Sequence, residues 1–579
     1  MKYRWSIAAP RPLLTAPLAQ SLHISPLLAQ CLLNRGLSEP AALAAFLEPR
    51  LKNLADPFLL PNMNAAVERL LRARQQGERV VIFGDYDVDG VSSTALLLEV
   101  FARLSLAADF YLPHRLDEGY GLSQDGVENC LKKHPASLLL AVDCGSTAVQ
   151  SIAWLRAQGV DVLVLDHHQV SDPLPAALAI VNPQLPTASS AHRPSPLGNF
   201  QELCSAGLAF KLAHALVKRG RELGLAAAAD FDLRPLLDLV ALATIADIVP
   251  LTGENRILVS AGLDRLNRTQ RPGLIALKNV AQSPATIGTY EVGFQLGPRL
   301  NAAGRLETAE QSLRLLLARS AAEAEPLAQS LDAHNRERQK IERTMTDQVL
   351  GAVRARFNPD TDFVIVEGQL LWHIGVVGIV AARVLQQFYR PTLIIGGDGD
   401  QWRGSGRSIE GFDLAAALRQ CDDLLVRHGG HAMAAGVTVK PDQLDALRQR
   451  LNQLAQQSLQ RDQLQPALRL DAEVTLAEVT LERLAELDRL QPFGQGNPSI
   501  HLVARGLTHR RPLQRMGSEK QHVKLFLAAG RETVEAVWWG AGQTEPPVGS
   551  FDLAFSPQVN AYNGRRSVQL KVLDWRPAA

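Results

Sequence analysis

Asp85, Asp87 and Asp89 occupy alternate positions of one hexapeptide, DYDVDG at 85–90. Carboxylates this close repel one another strongly unless something cationic sits among them. Oxygen ligands on every second residue of a turn can converge on one point, which suits a divalent metal. A solvated acidic loop is the other reading of the same spacing. A calcium loop fits poorly, because no bidentate acid follows at the required offset and a buried-type strand precedes. Asp143 ends the run SLLLAVDCG (137–145), and Asp166, His167 and His168 end VDVLVLDHH (160–168). Asp247 and Asp238 are the two acids of LLDLVALATIADIVPL (236–251). A carboxylate in so apolar a stretch needs a partner when buried, and either a helix cap or a metal supplies one. Asp87, Asp89, Asp143, His167 and Asp247 together make a mixed oxygen and imidazole set, better suited to manganese or magnesium than to zinc. The carboxylates suffice for two ions about 3.5–4 Å apart, the arrangement that clamps a phosphoryl group and activates water.

These residues need elements to position them. RVVIFG (79–84) reads as a strand and VSSTALLLEVFARL (91–104) as a helix, with the three acids in the turn between them. From Val80 strands and helices alternate, which predicts a parallel sheet covered on both faces. Three of its strands end in acids or histidines, at the edge where open parallel sheets bind ligands. Residues 182–203, rich in Pro and Ser, read as a long surface loop, and 206–219 as a helix. GPRLNAAGR (297–305) carries Arg299, Asn301 and Arg305 among glycines, either a phosphate-contacting edge or a glycine-bounded turn with surface arginines. A long helical region over 321–357, with a break expected at Pro326, reads as a strut between lobes. The charges of its NRERQKIER segment (335–343) read as solvated.

A second alternating lobe follows, over about 360–455. Glycines beside Ser405 and Arg407 in RGSGRS (403–408) would let backbone amides approach a phosphate while a guanidinium clamps it; a hairpin turn is the alternative. Gly429, Gly430 and His431 form a similar candidate anion-binding turn. Beyond about 460, five or so short alternating runs predict an OB-fold barrel. From Arg505 onward there are eleven Lys or Arg and six Asp or Glu, a local positive excess. Trp538, Trp539 and Tyr562 are candidates to stack on bases, although alternation turns at least one tryptophan inward.

At 579 residues the chain is long for one core. The expected division is an N-terminal helical cap (1–75), a first α/β lobe (76–320), a connecting helix (321–358), a second α/β lobe (359–458) and the barrel (459–579). A net charge of +1 announces no nucleic-acid partner globally, so any such groove is local. Five cysteines without a CxxC pair point to reduced cytosolic thiols and no structural zinc. No signal-peptide core or membrane span is evident, and a cytoplasmic location is expected.

DYDVDG, AVDCG, LDHH and ATIADIVPL, in this order, resemble the four signatures of the DHH phosphoesterase superfamily. RLDEGYGLS (115–123), GPRLNAAGR, WHIGVVGIVAAR (372–383), RGSGRS and GGHAMAAG (429–436) extend the likeness to its single-strand-specific exonuclease branch, over nearly the whole chain. The resemblance implies two α/β lobes of DHH and DHHA1 type plus an OB-fold barrel. It implies Asp87, Asp89, Asp143, His167 and Asp247 as ligands of two Mn2+ or Mg2+ ions, with Asp85 a ligand or a partner of one. His168 would face the scissile phosphate and Asp166 would orient the histidines. Arg115, Ser405 and Arg407 are the candidates for a terminal phosphate, with Tyr120, Arg299, Asn301, Arg305, His373, His431 and Trp402 lining the substrate path. The implied activity is 5′ to 3′ removal of mononucleotides from single-stranded DNA in repair and recombination, by a monomer that meets single-strand-binding protein and recombination helicases. A phosphoesterase for oligoribonucleotides or phospho-nucleotides, and a non-catalytic single-strand-binding scaffold, are the rivals.

Overall fold

The computed structural model describes residues 3–578 except 115, 116, 120, 186–199, 398 and 563. The expectations for Arg115 and Tyr120, for most of the 182–203 loop and for the Tyr562 side chain lie outside what is described. The first lobe is a five-stranded sheet in the order Ala108–Tyr111, Val80–Gly84, Leu138–Val142, Asp161–Leu165, Ala179–Val181, with every pairing parallel. Apart from Asp161 at the start of the third, the three central strands are apolar runs because helices cover both faces. The chain leaves Val80–Gly84 toward one edge of the sheet and later returns on its other side as Leu138–Val142. That reversal leaves a crevice between the carboxyl ends of the two strands.

The strut is one helix, Ala321–Arg356, which passes Pro326 without a break. Pro326 lies in the second turn, so the cost is the single N–H that would have reached Ala322. The charges expected to be solvated are partly internal: Asn335, Arg338 and Glu342 are buried, at spacings of three and four that continue the apolar stripe through Leu331, Met345 and Val349. The second lobe has strand order Leu425–His431, Ala434–Val439, Trp402–Arg407, Thr392–Gly397, Ile365–Leu370, with only the last pair parallel.

Neither Ser405 and Arg407 nor Gly429, Gly430 and His431 lie in a turn; the hairpin turn of the second segment is at 432–433. RGSGRS forms the strand Trp402–Arg407 inside the sheet, and Gly429, Gly430 and His431 form the end of the edge strand Leu425–His431. In RGSGRS the glycines answer packing instead. A Cβ at Gly404 would lie 2.6 Å from Ile395, and one at Gly406 2.5 Å from Leu414. Alternation then sends Ser405 and Arg407 to the opposite face.

Strands Leu502–Met516, His522–Ala529, Glu532–Trp538, Arg565–Pro577 and Phe551–Tyr562 pair in that order, and Leu502–Met516 also pairs with Phe551–Tyr562, which closes a five-stranded barrel. The N-terminal stretch is not one cap. Arg4–Ile7 pairs with Ala467–Leu470, and Leu28, Leu32 and Leu43 share a core with Leu484, Leu502 and Phe551 of the barrel unit, whereas helix Met63–Gln76 packs in the first lobe. The hydrophobic faces of the early helices are completed only by residues more than 400 positions away, which local periodicity does not reveal. Arg256 staples barrel to lobe: its buried guanidinium donates to the carbonyls of Phe46, Leu490 and Arg489 and lies 3.7 Å from the Phe46 ring centre. All five cysteines are buried and unpaired. No helix among the described residues is long and apolar enough to cross a membrane.

Candidate metal centre

Asp85 follows strand Val80–Gly84 directly, Asp143 follows Leu138–Val142, and Asp166, His167 and His168 follow Asp161–Leu165. Asp247 terminates helix Leu237–Ala246. The turn after the first strand is tight enough that a Cβ at Gly90 would stand 2.6 Å from the Asp85 carbonyl oxygen. Asp143 has φ 64, a left-handed backbone that few non-glycine residues adopt and that tends to mark functional sites.

The acids converge. His167 Nε2 lies 3.5 Å from Asp143 Oδ1, 3.5 Å from Asp247 Oδ2 and 3.9 Å from Asp89 Oδ2. Ligand atoms of Asp89, His167 and Asp247 lie within 4.8 Å of one another, as do those of Asp85, Asp87 and Asp143, and those of Asp143, His167 and His168. Asp143 therefore belongs to groups on both sides of the centre, and Asp85 stands with the ligand set. Two donor atoms, His167 Nε2 and Asp247 Oδ2, are buried with no hydrogen-bond partner, which a bound cation would supply. Hard oxygens with one imidazole fit Mn2+ or Mg2+.

Burial raises these carboxyls first, and mutual repulsion raises them further. Asp89 is pushed up to about 6 by burial and the Asp87 charge, and Asp247 to about 9 by burial and the charges of Asp89 and Asp87. Asp143 is held well above the usual carboxylate range by burial and by Asp89, Asp87, Asp85 and Asp247. Without cations the folded protein thus binds more protons than the unfolded chain, whose carboxyls titrate near 4. The stability these carboxyls contribute falls as pH rises from about 4 toward 9. A divalent ion removes the repulsion, so the Mn2+-induced rise in Tm is expected to be larger at pH 8 than at pH 6, as a pair of thermal melts will show.

The two adjacent histidines are driven apart. Burial, then the charge of His168, depresses His167 to about 4, leaving a neutral ring ready to act as a ligand. Burial also opposes charging of His168, but the hydrogen bond to Asp166 and the charges of Asp166, Asp247 and Asp89 override it and raise this ring to about 9. Asp166 is fully engaged, with Oδ1 2.8 Å from His168 Nδ1 and Oδ2 accepting from the Ser146 amide at 3.0 Å. Replacing Asp166 with Asn is therefore expected to lower kcat by about 10²-fold while leaving Mn2+ stoichiometry unchanged, measured by steady-state kinetics beside calorimetric titration.

Sequence reasoning missed the supports. Asp89 accepts from the amides of Ser205 (2.7 Å) and Ala206 (2.8 Å), so the N-terminus of helix Ser205–Glu222 fixes it, and Ser205 Oγ donates to Asp143 at 2.9 Å. Buried Asn182 donates to Ser146 Oγ (2.7 Å) and the His168 carbonyl (2.8 Å), steadying the loop from the next strand end. The strand-end rule that selected Asp143 and His167 also covers Asn182; nothing in the sequence announces Ser205.

Residues 79–244 match the DHH family N-terminal domain, 361–457 the DHHA1 domain and 470–574 the RecJ OB domain. The single-stranded-DNA-specific exonuclease RecJ of Bacillus subtilis is 36% identical over 579 residues, covering 99% of this chain and 71% of that one. The RecJ of Escherichia coli is 35% identical over 572 residues, 95% of each chain. The chain belongs to the RecJ family. The crystal structure of Thermus thermophilus RecJ with Mn2+ superposes with a TM-score of 0.84 at 30% identity, covering all of this chain and 80% of that one; a second is a complex with Mg2+, at a TM-score of 0.76. RecJ-family structures thus hold the two metals that the donor set favours, and the two α/β lobes and OB-type barrel are the family architecture.

In this RecJ-family chain a cleft of about 320 Å³ is lined by Arg305, Gly375, Gly378, Arg403, Ser405 and Arg407. Arg407 donates to Ser405 Oγ at 3.0 Å, and both side chains sit against Gly378 in the first turn of helix Val377–Phe388, where a Cβ would approach them to 3.0 and 3.2 Å. Arg305 donates to the Gly375 carbonyl, and His373 Nδ1 accepts from the Gly375 amide. Asn301 accepts from the Val88 amide, between Asp87 and Asp89. GPRLNAAGR is a helix, Gly297–Leu306, and Arg299 on it is spent on Asp332 of the strut at 2.9 Å rather than on the cleft. Trp402 packs into the second-lobe core, on the face opposite Ser405, and exposed His431 is not among the cleft-lining residues. In the barrel, Trp538 packs against the core and Trp539 is half exposed.

Proposed function

We propose that this protein is a metal-dependent exonuclease that removes mononucleotides from the 5′ end of single-stranded DNA. The observation that carries the reading is the convergence of Asp85, Asp87, Asp89, Asp143, His167 and Asp247 beside a separate cationic cleft. Asp89, Asp143, His167 and Asp247 would hold one divalent ion, and Asp85, Asp87 and Asp143 the other. A pair held there would supply Lewis-acid charge to the scissile phosphate and would lower the pKa of the attacking water. The chain's own residues do the rest. His168, kept cationic by Asp166, offers a donor beside the reacting phosphate for the charge that develops on its oxygens. Ser205 and the amides of Ser205 and Ala206 keep the carboxylates aimed.

Arg407, Ser405 and the first turn of helix Val377–Phe388 suit a terminal phosphate, with guanidinium and helix N-terminus both favouring an anion. A 5′-phosphate seated there while the next phosphate lies at the metal centre gives 5′ to 3′ polarity. The barrel, with exposed Trp539, supports backbone and stacking contacts of low sequence preference. Single-strand-binding protein is the partner class that shares this substrate, and buried free thiols suit a reducing cytoplasm. A scaffold role is disfavoured because every acid of the ligand set faces the same centre. Digestion of oligonucleotides labelled at either end, in Mn2+ and in Mg2+, tests the proposal. Early release of the 5′ label is expected, and release of the 3′ label first would overturn it.

A further inference from the structure

Midway along the strut helix, Arg338 is nine-tenths buried. Its Nη1 donates to Glu342 at 2.7 Å and its Nη2 to Asn335 at 3.0 Å, but its buried Nε has no hydrogen-bond partner. A donor left over in the interior calls for an acceptor. Arg338 lines a pocket of about 140 Å³ together with Ala246, Gly293, Asn301, Arg305 and Ile379. The wall has been cleared: residues 292–296 form a π-helical turn containing Gly293, a distortion common at functional sites.

The pocket is rich in donors. Asn301 has its oxygen engaged by the Val88 amide, so its amide nitrogen is the donor left over. The carboxylate that Arg338 pairs with, Glu342, is shared with a second guanidinium, Arg383, at 3.1 Å. An anion with several oxygens is the ligand such a site takes.

Its place in the molecule narrows the anion further. Ala246 precedes the candidate ligand Asp247, and Asn301 holds the turn between Asp87 and Asp89, so one side borders the metal centre. Arg305 and Ile379 line both this pocket and the cleft of Ser405 and Arg407, so the other side opens toward it. In a 5′ to 3′ exonuclease each cut creates a new 5′-phosphate at the metal centre, which must then reach the terminal-phosphate cleft before the next cut. We propose that Arg338, Arg305 and Asn301 form a phosphate subsite that receives this group on its way and keeps the strand engaged between cuts. The inference rests on the polarity proposed above.

The test uses a long single strand, an excess of unlabelled competitor strand, and the full chain carrying Arg338→Gln. Nucleotides removed per binding event are compared with the single-turnover rate of the first cut. Run length is expected to fall about tenfold more than the first-cut rate, the loss of one charge-assisted hydrogen bond. Inhibition by thymidine 5′-monophosphate is expected to weaken, and Arg338→Lys to recover part of both effects. Because Arg338→Gln strands the Glu342 charge, the double variant Arg338→Gln/Glu342→Gln, which keeps an amide pair, is run beside it with thermal melts. Unchanged run length, or run length and first-cut rate falling together with Tm, overturns the subsite. If the wild-type protein removes the 3′ label first, the polarity reading fails instead.

Discussion

Asp143→Asn is expected to lower kcat by at least about 10³-fold while the protein stays folded. Asp143 is the acid common to the Asp85–Asp87 group and the group around His167, so its charge serves both candidate ion positions. Losing it removes a ligand from each, and an interaction of several kcal/mol with a divalent ion accounts for a rate loss of that size. Asparagine isolates the charge from the fold. It tolerates the left-handed backbone that Asp143 adopts at φ 64, where alanine would be strained. Its side-chain oxygen can still accept from Ser205 Oγ, and with less repulsion around it the metal-free protein should melt higher than wild type. Calorimetric titration with Mn2+ should show weakened binding at both positions. Retention of more than a tenth of the wild-type rate would mean that the acids serve the fold and the chemistry lies elsewhere.

The grouping of these acids was legible because open parallel sheets expose residues at strand ends, and Asp85, Asp143 and His167 each follow a run that reads plainly as a strand. Asp247 was legible because a carboxylate stands out in an apolar helix. Glycine misled. In RGSGRS it reads as turn chemistry, yet Gly404 and Gly406 clear space for Ile395 and Leu414 inside a sheet, a requirement set by neighbours in other elements. Arg338 was visible in the wrong category. Its spacing from Leu331, Met345 and Val349 placed it on the buried stripe, but a charged segment on a long helix reads as solvated unless a second surface is known to cover it. The pairing of the N-terminal helices with the barrel was hidden for the same reason, since Leu28 and Leu43 meet partners beyond residue 480.

Arg407→Gln is expected to cost about 10²-fold in the preference for a 5′-phosphorylated over a 5′-hydroxyl strand, with little effect on Mn2+ binding. Arg407 is partly buried, and burial lowers its pKa; it donates to Ser405 Oγ and the Gly406 carbonyl, neither of which is anionic, and no carboxylate pairs with it among the described residues. A buried cation without a counter-ion is costly unless an anion arrives, so the phosphate should be bound by a side chain already held in place. Two charge-assisted hydrogen bonds at about 1.5 kcal/mol each correspond to that hundredfold. Glutamine keeps a donor for Ser405 but loses the charge and the fork, and Arg407→Lys, with charge but no fork, should fall between. The quantity to measure is kcat/KM on paired oligonucleotides that differ only in the 5′ group. A ratio that Arg407→Gln leaves untouched would place the terminal phosphate outside this cleft. The polarity of the enzyme would then need another origin.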